Sequence, residues 1–155
     1  MTLNRRLVVA VTAVAGAAAV AAIALASQGT STSKTLAPRS TFSNSVQVND
    51  DRIKFQTKDP TDFVVSEVTF LPHAYSGWHH HPGVILVLVK SGRVTTHDEN
   101  CQTKTYGAGE AFVESGTAPF MVSNESDTET AIDVATQVAP AGSPFRVDDQ
   151  PPPCA

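Results

Sequence analysis

Residues 77–89 read Gly77-Trp78-His79-His80-His81-Pro82-Gly83-Val84-Ile85-Leu86-Val87-Leu88-Val89: three adjacent histidines, a Pro-Gly break, then six apolar residues. Ser91-Gly92 soon closes the run, and its Val and Ile content favours a strand. A strand apolar on both faces belongs inside a closed or two-layer sheet rather than on a wet one. Side chains alternate along a strand, so His79 and His81 share one face and His80 takes the other. The Cα atoms of His79 and His81 lie about 6.6 Å apart on that geometry. Imidazoles so spaced can converge on one ion, each at about 2.1 Å. Trp78 in front and the apolar strand behind place this pair at a barrel mouth, facing inward. The competing reading is a polar turn that is merely rich in histidine.

Working outward, short apolar runs alternate with turn residues, and no stretch repeats at helical period. Val46–Val48 and Arg52–Gln56 flank Asn49-Asp50-Asp51, a turn sequence. Phe63–Phe70, Arg93–His97, Gln102–Tyr106, Ala111–Val113, Phe120–Ser123 and Glu129–Val138 follow, punctuated by Gly and Pro. Eight or nine strands at this spacing predict an all-β sandwich or barrel over residues 44–140. Residues 27–43, rich in Ser and Thr, read as a flexible tether. Residues 141–155 form a Pro-rich C-terminal tail. At 155 residues one domain is expected.

Residues 1–26 read as a targeting segment. Arg5 and Arg6 precede Leu7–Ala26, an uncharged stretch dominated by Ala and Val, and Ala24-Leu25-Ala26 supplies a small-x-small end. That order describes an export signal cut before Ser27. A stretch of this length also suffices for an uncleaved membrane anchor. The Arg pair leaves Sec and twin-arginine export both open. Cleavage would take Arg5 and Arg6 away and move the formal charge from −4 to −6. Export also changes what Cys101 and Cys154 mean, since disulfides persist outside the cytosol. Bridging them would pin the tail that follows Pro151-Pro152-Pro153 and stabilise the fold by about 4 kcal/mol on the loop-entropy model.

Charge narrows the partners. Eleven Lys and Arg against 15 Asp and Glu, with no basic stripe, exclude nucleic acid as the main partner. The chain has neither a Gly-x-Ser-x-Gly elbow nor a Gly-rich phosphate loop. The five histidines, His73, His79, His80, His81 and His97, all fall between residues 73 and 97.

The spacing resembles the cupin family, β-barrels of jelly-roll type. His79 and His81 match the His-x-His of the family's first motif, and Gly92 matches its closing Gly. Gly109 and Asn124 match the ends of the second motif, with Ser115 and Thr117 in place of its Pro and Gly. In metal-binding cupins three His and one Glu hold the ion. Here Ile85 stands at the Glu position and Phe120 at the second-motif His position, so two ligands are replaced by apolar groups. Glu110 and Glu114 also lie inside that motif, and their parity relative to Phe112 and Phe120 forces neither inward. His73, at the family's first Gly position, is the candidate third ligand beside His79 and His81.

Three functions follow. The first is an exported protein binding a small molecule in an apolar lumen lined by Trp78, His79, His81, Ile85 and Phe120. The second is a metal-dependent enzyme of dioxygenase or isomerase type, using a His-only set for one divalent ion: Zn, Mn, Fe or Ni. The third is a structural or assembly module of the cell envelope, pairing as a homodimer through outer strands. Membrane association arises only if the N-terminal segment stays uncleaved.

Overall fold

The structure, a computed structural model, describes residues 28–155. The signal or anchor expected over residues 1–26 lies outside the described residues. The described residues form strands and no helix, so none of them makes a helix long and apolar enough to cross a membrane.

Among the described residues twelve strands run in chain order. β1 (Thr32–Phe42), β2 (Gln47–Asp50), β3 (Ile53–Gln56) and β4 (Thr61–Phe70) precede the short β5 (His79–His80). β6 (Val84–Ser91), β7 (Arg93–His97), β8 (Thr103–Gly107) and β9 (Ala111–Ser115) follow. β10 (Met121–Ser123), β11 (Ala131–Pro140) and β12 (Val147–Asp148) complete the chain. The main sheet has the order β1-β4-β11-β6-β9, and a second sheet has the order β10-β7-β8. Between them sits the core of Phe70, Val87, Val89, Val94, Phe112, Val122 and Ala135.

Alternation sets the walls. On β6, Ile85, Val87 and Val89 are buried, whereas Val84, Leu86 and Leu88 are exposed at 39%, 49% and 48%. The two-faced burial expected of this strand is therefore corrected: only one face turns to the core. A continuous apolar run reveals hydrophobicity, not which of its faces is covered. Gly92 then turns the chain at φ 69°, where a Cβ would meet the Thr130 carbonyl oxygen at 2.7 Å. Only glycine suits both demands.

The expected tether is also corrected. Residues 32–42 form β1, which pairs antiparallel with β4 along most of its length. All eleven of its residues are exposed, so no hydrophobic pattern announces it. Backbone pairing and polar anchors hold it: Arg39 Nη1 donates to Asp62 at 3.0 Å, and Thr41 Oγ1 donates to the same carboxylate at 2.5 Å.

At the other end the tail docks. Cys101 and Cys154 form a disulfide, with Cα atoms 6.1 Å apart. β12 pairs with β5, placing Val147 opposite His80 and Asp148 opposite His79. The guanidinium of Arg39 lies 3.9 Å above the Phe145 ring. Residues 145–149 thereby form a strap across the histidine strand.

Asn124 is structural. Its amide lies within hydrogen-bonding distance of the Phe70, Leu71 and Glu129 carbonyls, at 3.0, 3.2 and 2.7 Å, and the residue is 2% exposed. It closes the loop between β10 and β11.

Candidate metal centre in the barrel lumen

Two histidines and one acid meet inside the barrel. His79 and His81 face inward as the alternation requires, both buried, with their rings 4.7 Å apart. Glu114 projects from β9 between them, its Oε2 3.2 Å from His81 Nε2 and 3.7 Å from His79 Nε2. One donor atom from each of the three lies within 4.8 Å of the others.

The backbone fixes the proton on each ring. His79 Nδ1 donates to the Gly77 carbonyl at 2.8 Å, and His81 Nδ1 donates to the Phe145 carbonyl on the strap. A carbonyl only accepts, so Nδ1 carries the hydrogen and each ring turns its Nε2 toward Glu114, free to present a lone pair there. Burial, then the nearby Arg146 charge, lowers the pKa of His79 to about 4, which keeps that ring neutral at neutral pH. Glu114 Oε2 is buried without a hydrogen-bond partner. Two lone pairs and a bare carboxylate oxygen facing one another repel unless a cation sits among them. The donor set therefore fits a divalent metal, and the carbonyl behind each imidazole is the support such ligands normally have.

The structure does not bring the expected third ligand, His73, to the pair. His73 sits in a loop at φ 61°, is 66% exposed in its side chain and lies 3.1 Å from Asp127. Standing near the pair in sequence did not bring it near in space, because its side chain turns to solvent beside Asp127. The third donor is Glu114. In the β6–β9 ladder it stands opposite Ile85, the position at which the family carries its carboxylate. Antiparallel partners share a face, so the acid has crossed to the neighbouring strand. Phe112 and Glu114 are both buried on β9, and this two-residue spacing was the available signal.

A lumen cavity of about 150 Å³ adjoins the triad, bounded by Ile85, Asp133, Gln137 and Arg146 among others. Ile85 lines it as expected. Trp78 does not: it is buried, with its ring centroid 6.4 Å from that of His97. Phe120 lies on a second cavity, beyond His81 and Glu114, and its backbone exchanges two hydrogen bonds with His79 at 2.9 and 3.0 Å. The apolar surroundings expected for the histidine pair are thus corrected too, because Glu114 and Asp133 enter from strands whose register was hidden in the sequence.

A small antiparallel barrel with two histidines and a carboxylate in its lumen defines the class of protein. Residues 66–135 match the family model described as a cupin domain. Similar solved structures include a cupin-like protein from Thermotoga maritima (16% identity, 57% of this chain and 65% of that one, TM-score 0.51). Another is the DMSP lyase DddQ from Ruegeria pomeroyi (15% identity, 57% and 44%, TM-score 0.50). A third is an uncharacterised protein with a double-stranded β-helix domain from Klebsiella pneumoniae (23% identity, 66% and 77%, TM-score 0.48). This chain spans 65% and 44% of the first two, and at these identities the likeness is one of fold. No curated protein matches the chain.

Proposed function

We propose that this protein is an exported, metal-dependent enzyme that binds one divalent first-row transition ion on His79, His81 and Glu114 and acts on a small organic molecule in the adjoining lumen. The observation that carries this reading is the partnerless Glu114 oxygen facing two Nε2 lone pairs. Two imidazoles and one carboxylate form the donor set of non-haem Fe(II) oxygenases, and Zn uses a like set in hydrolytic sites. Such an ion would supply Lewis acidity and open positions for a substrate or water. The residues of the chain hold the imidazoles in one tautomer, wall the cavity with Ile85 and Val87, and close its edge with Arg146. The Cys101–Cys154 disulfide supports export. Elemental analysis of protein purified from its host tests the proposal: about one equivalent of a single metal is expected, and protein without stoichiometric metal would refute it.

The exposed outer face favours an addition to this reading. Leu86 and Leu88 on β6 and Val113 on β9 are 49%, 48% and 58% exposed on neighbouring strands. We propose that this face self-associates. Light scattering coupled to size exclusion should show a dimer that Leu88→Glu dissociates; a monomeric wild type would refute it.

A further inference from the structure

A second acid enters the same cavity from another wall. Asp133 projects from β11, is 3% exposed, and its Oδ1 is buried with no hydrogen-bond partner. It is not one of the three clustered donors. On β11 it stands two inward-facing positions beyond Gln137, whose partner Ile85 is itself opposite Glu114. The triad and Asp133 therefore occupy different layers of the barrel, with Val87 and Ala135 between them.

The charges of the lining single out Asp133. Arg146 donates from Nε to Asp148 at 2.6 Å and from Nη2 to the Ser76 carbonyl at 2.8 Å, so its charge is already met. Glu114 is met by the metal proposed above, a reading on which this step rests. One buried carboxylate is left over, its neighbours in register being Val68 and Val89. A carboxylate so enclosed is best matched by a partner bringing both donors and positive charge.

We infer that Asp133 is the recognition residue for a primary ammonium group, so that the lumen takes a small aliphatic amine whose other end lies toward the triad. The cavity holds about five water volumes, enough for a chain of roughly five heavy atoms. Valine and alanine side chains suit the aliphatic middle of such a ligand.

The test uses the full chain loaded with zinc and three probes of one length: n-butylamine, 1-butanol and butyrate, followed by saturation-transfer NMR and calorimetry. Wild type should bind n-butylamine at least tenfold tighter than butyrate, with 1-butanol between. Asp133→Asn and Asp133→Leu should each weaken n-butylamine at least tenfold while leaving 1-butanol within about threefold. Equal or tighter binding of butyrate, no binding of the amine, or unchanged amine affinity in both variants would overturn the assignment. Denaturation curves confirm that at least one variant is folded. Failure to take up zinc would sink the metal reading alone, and the same comparison on metal-free protein then decides the amine site.

Discussion

Burying Asp133 in the same lumen as Glu114 has a cost that pH can read. Burial, and then the Glu114 charge, raises the pKa of Asp133 from 3.8 to about 7. Between those values the native state holds a proton that the unfolded chain has released. Stability from this group is full below pH 3.8 and is lost as pH rises through 7. The shift is about three units, hence about 4 kcal/mol in all at 1.36 kcal/mol per unit. His79 works in the opposite sense, because its pKa falls from 6.5 to about 4. It contributes stability present above pH 6.5 and lost as pH falls through 4, about 3 kcal/mol. The two slopes largely cancel in the wild type between pH 4 and 6.5. Asp133→Asn removes one of them. Urea denaturation of metal-free protein, disulfide intact, should show the variant gaining on wild type by about 3 kcal/mol between pH 4.5 and 8, the part of the total that falls in that window. A stability difference that does not change across that range would refute the buried ionisation of Asp133.

Further outcomes follow from other parts of the fold. Replacing Cys101 and Cys154 together by Ser should lower stability by about 4 kcal/mol, from the loop of 53 residues they close, as read by chemical denaturation. The same variant should bind metal 10- to 100-fold more weakly, since the strap carries the carbonyl that orients His81; competition with a chelating dye measures this. Asn124→Ala strands the Phe70 and Glu129 carbonyls and should cost about 2–3 kcal/mol in the same assay.

The strands were legible where one face is buried. β4, β6 and β11 all declare themselves through their Val, Ile, Phe, Leu and Ala content, which in β6 runs unbroken from Val84 to Val89. β1 was not legible, because its partners are backbone groups of β4 and the Asp62 carboxylate, which leave no apolar imprint on Thr32–Phe42. His79 and His81 could be placed by strand parity alone. Glu114 could not, because its role depends on which residue of β6 it faces, and pairing register between distant segments is set by tertiary packing. The tail shows the same limit. The cysteines announced a bridge, but no feature of Phe145 announced that its carbonyl would fix the His81 tautomer.

The most direct check is a metal titration of the chelator-stripped protein with Zn(II) and Fe(II), alongside His81→Ala, Glu114→Gln and His73→Ala. One equivalent should bind to wild type and to His73→Ala, with uptake lost in His81→Ala and weakened at least tenfold in Glu114→Gln. Uptake that survives Glu114→Gln unchanged but disappears in His73→Ala would contradict the lumen triad.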